Sequence, residues 1–201
     1  MSVPASTLII ACGALGREIN ALQKLNGWDH ITLQCLPAEL HNTPKEIPRA
    51  VRSKIEAGRD QYERIFVAYA DCGTGGLLDR VLEEYGIERL PGAHCYEFFA
   101  GSKVFAKLCE SDLGTFYLTD FLVRHFERLV YEGLGLDRHP ELLPVYFRNY
   151  RKLVYLAQVE TDELQKKAQE YAERLGLDYQ YQYTGLELFA RELRPAGLEV
   201  K

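Results

Sequence analysis

Three of the five cysteines in this 201-residue chain sit where an apolar run gives way to glycine or to polar residues. "STLIIACG" brings Cys12 to the end of the first run. "RIFVAYADCGTGG" brings Asp71 and Cys72 to the end of a later one, and "HCYEFFAG" carries His94, Cys95 and Glu97. Thiolates are soft ligands that select zinc, copper(I) or iron–sulfur clusters. Three of them can bind three irons of a [4Fe-4S] cluster and leave the fourth iron open to a substrate. Glycine directly after Cys12 and Cys72 suits that use, because backbone N–H groups can then approach the sulfurs. A zinc site made of Cys12, Cys72, Cys95 and His94 fits less well, since neighbouring residues on a strand point to opposite faces. No CxxC pair is present. Each cysteine has the ordinary alternative of packing as a small buried hydrophobe. Cys35, within a strand pattern, and Cys109, within a helical one, are read that way.

The loop after Cys72 offers a second chemistry. Glycines ahead of a helix expose N–H groups that hold an anion, so Thr74, Gly75 and Gly76 are candidate donors to a bound ligand. The loop also serves as a tight strand-to-helix turn, and neither "GTGG" nor "GALGREI" is a dinucleotide fingerprint. In an alternative reading, Cys72 at a helix N-terminus is a nucleophile, with His94, His125 or His139 as base and Asp120 as the orienting acid. Arg138 and Arg148 lie in the aromatic-rich stretch "YEGLGLDRHPELLPVYFRNYR" and are candidate contacts for a small anionic molecule. Lys103 is a further possible anion contact.

The elements that must position these residues alternate. Apolar runs over 6–13, 31–38 and 64–73 read as strands. Helical patterns with Leu15, Ile19, Leu22 and Leu25, and with Ile47, Val51 and Ile55, fall between them, and "GLLDRVLEEYG" follows. "ERLPGAHCYEFFAG" reads as a fourth strand bent at Pro91-Gly92. A second series starts near Gly114: strand "GTFYLTDF", helix "FLVRHFERLVYEGLGL", a helical stretch from His139 and strand "KLVYLAQVE". A helix capped by Thr161, strand "DYQYQYTG" and a closing helix "LELFARELRP" complete it. The pattern predicts an α/β fold with mostly parallel sheets, flanking helices and two Rossmann-like halves. The halves are expected as lobes 1–113 and 114–201, with one continuous domain as the alternative. Ligands in such sheets bind beyond the carboxyl ends of the strands, where Cys12, Cys72, Thr119, Asp120, Gln158 and Thr184 all fall.

A composition of 47% hydrophobic and 26% charged residues is that of a packed globular chain. A net charge of −5 argues against nucleic acid as a partner. No apolar run is long enough to span a bilayer, and no signal peptide is evident, so a cytoplasmic protein with reduced thiols is expected.

At "ACGAL", "DCGTGGLLD", "HCYEFFAG", "GTFYLTDFLVRHF", "GLGLDRHPEL" and "YRKLVYLAQ" the chain resembles domain-of-unknown-function family 1638 of bacteria and archaea. The resemblance brings no established reaction. It implies that these blocks form one site, and that Cys12, Cys72 and Cys95 belong to it. It further implies a setting near corrinoid-dependent methyltransferases, hence a role in anaerobic one-carbon metabolism with a corrinoid protein or methyltransferase as partner. The expectation is a metalloprotein holding a [4Fe-4S] cluster at the mouth between the lobes. His94, Glu97 and Asp120 would be acid–base or supporting groups, in an iron–sulfur-dependent lyase, desulfurase or one-carbon transfer enzyme. The alternatives are a thiol enzyme using Cys72 and a non-catalytic carrier of a small molecule or corrinoid.

Overall fold

The computed structural model describes residues 6–111 and 114–198. The chain divides into two compact units, one drawn from Met1–Phe98 and Phe189–Lys201, the other from Phe99–Leu188. Each carries its own three-stranded parallel sheet with helices around it. That is the α/β architecture expected from the alternating pattern.

In the first unit β1 (Thr7–Cys12), β2 (Ile31–Leu36) and β3 (Arg64–Ala68) are ordered β2-β1-β3. All six residues of the central β1 are buried, as its unbroken apolar run requires of a strand covered on both faces. Helix α1 (Gly16–Asn26) buries Ile19 and Leu22 and stops at Gly27, whose φ of 66° closes the helix in the left-handed region. Leu25, expected on the buried stripe, is 79% exposed: the apolar face ends one turn before the helix does. Helix α2 (Ile47–Gly58) buries Ile47, Val51 and Ile55 completely, and α3 (Leu77–Tyr85) follows β3.

Two expectations are corrected here. The fourth strand does not form. A single bridge joins Val67 to Arg89, Pro91 and Gly92 break the ladder, and Tyr96–Ala100 coils into a short helix, α4. Cys35 is exposed and not a core residue, because β2 is an edge strand with one hydrogen-bonded neighbour. The side chain of Cys109, in α5 (Ser102–Ser111), lies outside the described residues.

In the second unit β4 (Thr115–Thr119), β5 (Lys152–Ala157) and β6 (Asp178–Tyr183) are ordered β4-β5-β6. After β4 the chain makes α6 (Asp120–Arg124), a wide π-type turn over Glu127–Tyr131 and α7 (Leu143–Phe147). Helix α8 (Asp162–Leu175) starts where the Thr161 hydroxyl accepts from the Leu164 amide at 3.4 Å. Its Leu164, Ala168, Ala172 and Leu175 pack with Leu118, Val123, Phe126 and Leu153 in the core, and Phe126 stacks on Tyr171 with ring centroids 3.9 Å apart. The closing helix α9 (Glu187–Glu192) returns to the first unit, where Phe189 stacks on Phe98.

Candidate functional site

The carboxyl edge of the first sheet gathers the thiols. Cys12 ends β1 and caps the 3-10 turn Gly13–Leu15, its sulfur accepting from the Ala14 amide at 3.4 Å. Glycine suits the next position: a Cβ on Gly13 would lie 3.0 Å from the Leu36 carbonyl oxygen, tighter than ordinary contact, where the β1 and β2 exits run close together. The β3 exit continues through buried Tyr69 and Ala70 to Asp71 and Cys72. The amides of Asp71 and Cys72 donate to the carbonyls of Gly92 (3.1 Å) and Ala93 (2.9 Å). Those two bonds place the 92–95 segment, and so Cys95, alongside Cys72.

Cys72 has φ 49°, the one non-glycine among the described residues in the left-handed region, at a cost of about 1–2 kcal/mol. Such strain persists only where the surroundings impose it, and sites of function are where it concentrates. Asp71 organises the rest of the loop. Its carboxylate accepts from the Thr74 hydroxyl (2.7 Å), the Gly76 amide (2.8 Å) and the Gly75 amide (3.1 Å). Burial pushes its carboxyl up, but these three bonds and the charge of Arg89 outweigh it and hold the pKa below the usual value. Thr74, Gly75 and Gly76, the expected ligand donors, are thus engaged within their own loop. Arg89 in turn grips Asp79 through two bonds, at 2.5 and 3.0 Å, and the Leu90 carbonyl at 2.7 Å.

Burial governs all three thiols, and charge on Cys72 reaches both Cys12 and Cys95. Burial raises Cys12 to about 12, opposed by the Ala14 amide and reinforced by any charge on Cys72. Cys72 is raised to about 11, again mainly by burial, against the pull of the Ala70 and Cys95 amides. Cys95 is half-buried as a residue, yet its sulfur is enclosed by neighbouring atoms. Burial, then the charges of Cys72 and Cys12, push it well above its ordinary value. All three are therefore neutral thiols in the free protein at physiological pH. Among the described residues, no three His, Cys, Asp or Glu side chains converge tightly enough to enclose one metal ion. Two thiolates sharing a tetrahedral ion would sit about 3.8 Å apart, from a metal–sulfur bond of about 2.3 Å. A four-iron cluster puts each thiolate on a separate iron and accepts a wider spacing.

Two groups join this edge unannounced by the sequence patterns. His41, in the 3-10 segment Ala38–Asn42 beyond β2, places Nδ1 3.6 Å from the Cys12 sulfur. Burial lowers its pKa first of all, the Ala38 backbone acting against this and His94 with it. Tyr69, 1% exposed, has a hydroxyl with no hydrogen-bond partner of normal geometry; burial raises its pKa first of all, and the Cys12 thiol adds to this. The strand-end rule reaches His41 once it is applied to β2. Tyr69 is the lone polar side chain in the apolar stretch "FVAYA".

Of the other expected residues, His94 is exposed, with its ring 6.4 Å from that of Tyr96. Glu97 is half-buried, with its carboxylate against Gly92. Asp120, Arg138 and Arg148 belong to the second unit. Asp120 is 2% exposed, and its carboxylate accepts from the Tyr155 hydroxyl (2.7 Å), the Gln158 amide (3.0 Å) and the Val159 amide (3.1 Å). Its own amide donates to the Gln158 side chain at 2.9 Å. It clips the ends of β4 and β5 together. Gln158 also reaches Thr184 at 3.4 Å, so the second sheet's carboxyl edge is a closed polar network. Arg138 and Arg148 are exposed, and Arg138 lies 3.7 Å from Asp137.

A family profile described as "Protein of unknown function (DUF1638)" matches residues 35–193. The chain belongs to DUF1638. The matched span of this DUF1638 chain includes Cys72, Cys95 and His41, and begins after Cys12. No curated protein matches it. Among its described residues no helix is long and apolar enough to cross a membrane.

Proposed function

We propose that this DUF1638 protein is a cytoplasmic metalloprotein whose Cys12, Cys72 and Cys95 each hold one iron of a [4Fe-4S] cluster. The observation that carries the reading is a single one. Three thiols from segments far apart in sequence lie at one sheet edge, near enough that Cys72 acts on the ionisation of Cys12 and both act on that of Cys95, without closing on one ion. A cluster supplies Lewis-acid or electron-transfer chemistry at its open iron, toward a small anionic molecule. The protein supplies the enclosure. Asp71 rigidifies the loop that carries Cys72, the Arg89–Asp79 pair fixes the segment leading to Cys95, and Gly13 lets the β1 exit approach β2. In the setting the family resemblance implies, such a centre serves anaerobic one-carbon metabolism beside a corrinoid protein or methyltransferase. The burial that holds Cys72 protonated works against its use as a free nucleophile.

Anaerobic reconstitution with iron and sulfide tests this. About four irons and four sulfides per chain, with a brown thiolate-to-iron absorbance lost in Cys72→Ala and Cys95→Ala, is the expected outcome. A colourless protein without bound iron removes the proposal.

A further inference from the structure

The surroundings of Cys12 differ from those of the other two thiols. Three potential donors converge on its sulfur from three separate segments. The Ala14 amide lies at 3.4 Å and His41 Nδ1 at 3.6 Å, while the Tyr69 hydroxyl, buried with no partner of normal geometry, is near enough for the two groups to act on each other's ionisation. Buried hydroxyls are almost always paired, and an orphaned one marks a group whose partner arrives later or whose site holds charge. A neutral thiol is a weak acceptor, whereas a thiolate bound to metal is a strong one. The neutral imidazole of His41 can present an N–H at Nδ1.

Resting on the cluster reading above, we infer that Tyr69 and His41 form, with the Ala14 amide, a donor cage around the Cys12 sulfur that tunes the potential of the bound centre. Hydrogen bonds to cluster sulfurs stabilise the reduced, more negative state and raise the potential. Cys12 is the sulfur through which the protein sets that potential. Tyr69 and His41 are positioning residues: they act on the metal through Cys12 and contact no substrate in this role.

The test compares the wild type with Tyr69→Phe and His41→Ala, each reconstituted anaerobically, by redox titration of the visible absorbance. Tyr85→Phe is the control, because that hydroxyl belongs to the surface cluster with Arg52, Glu56 and Glu84. Both cage variants should keep their iron and shift to lower potential, with the control unmoved. A second reading needs no metal: in the metal-free protein Tyr69→Phe gives up no formed hydrogen bond, so its urea midpoint should equal or exceed that of the wild type. Loaded variants with unchanged potentials overturn the cage and leave the cluster reading standing. A lowered urea midpoint in metal-free Tyr69→Phe assigns the phenol to structure and also overturns its part in the cage. A wild type that takes up no iron overturns both readings together. Should Tyr69→Phe fail to fold, His41→Ala alone decides the potential.

Discussion

Asp120 stands at a strand end, where a catalytic acid would stand, and it is bonded there as a structural clip. Asp120→Asn separates these roles. The wild-type carboxylate takes two donors on Oδ1, the Tyr155 hydroxyl and the Gln158 amide, and one on Oδ2, the Val159 amide. Asparagine offers one acceptor and one NH2. If its oxygen faces Tyr155 and Gln158, the NH2 meets the Val159 amide; if it is reversed, the NH2 meets the Gln158 amide. Either way one backbone N–H, the buried Gln158 or the part-buried Val159, loses its partner and confronts another donor, which costs about 1–3 kcal/mol, least for Val159. The surviving bonds fall from charge-assisted to neutral strength, about another 1 kcal/mol. The sum is about 2–4 kcal/mol, with Asp120→Ala at the upper end or beyond because all three donors are orphaned. Urea denaturation followed by far-UV circular dichroism gives the loss, and amide hydrogen exchange at Gln158 and Val159 locates it. An Asp120→Asn protein within about 0.5 kcal/mol of wild type, with both amides still protected, would refute the clip and return Asp120 to the list of candidate acids.

The thiols give a pH signature. Cys12 moves from 9.0 when unfolded to about 12 when folded, so the folded state binds the proton more tightly. Its contribution is complete below pH 9 and is lost as pH rises from 9 to 12, with a ceiling of about 4 kcal/mol. Metal-free wild type should therefore lose stability over that window more steeply than Cys12→Ala, as read from urea midpoints at successive pH values. Loading the centre reverses the same protonation: binding through three thiolates should release about three protons at pH 7, measurable with an indicator dye in weak buffer. At Cys72, with φ 49°, glycine suits the backbone and alanine does not, so Cys72→Gly should be about 1 kcal/mol more stable than Cys72→Ala by urea unfolding. Gly13→Ala sets a Cβ against the Leu36 carbonyl oxygen and should lower both the urea midpoint and iron retention.

The strands were legible because a parallel sheet buried on both faces demands long apolar runs, and "TLIIAC" and "KLVYLA" are such runs. The helices were legible where caps and stripes agree, as at Thr161 and Gly176 around α8. What periodicity does not carry is the extent of the surface beneath an element. Leu25 keeps the helical spacing of its stripe and is exposed, and Cys35 keeps the strand pattern on an edge strand with no second neighbour. The stretch from Glu88 to Ala100 has strand-like composition, but Pro91 and Gly92 end its pairing with β3 after one bridge. Its Gly92 and Ala93 carbonyls accept instead from the Asp71 and Cys72 amides. That competition between ladder and loop is tertiary, and no local window contains it.

The site divides along the same line. That thiols at the ends of β1 and β3 should approach each other follows from strand adjacency, because a parallel sheet aligns the carboxyl ends of neighbouring strands on one edge. Cys95 reaches that edge by another route, carried by a loop that borrows two backbone bonds from the β3 exit. Strand order brings the His41 and Tyr69 backbones to this edge as well, but not their side chains onto Cys12. One depends on how a 3-10 segment folds back after β2, the other on which way a phenol turns inside a buried run. Strand order can place ligands on an edge, but the donors that set a ligand's electronic character are chosen by packing. The part of the site expected to hold a metal was therefore readable from residue type and position, and the part expected to tune it was not.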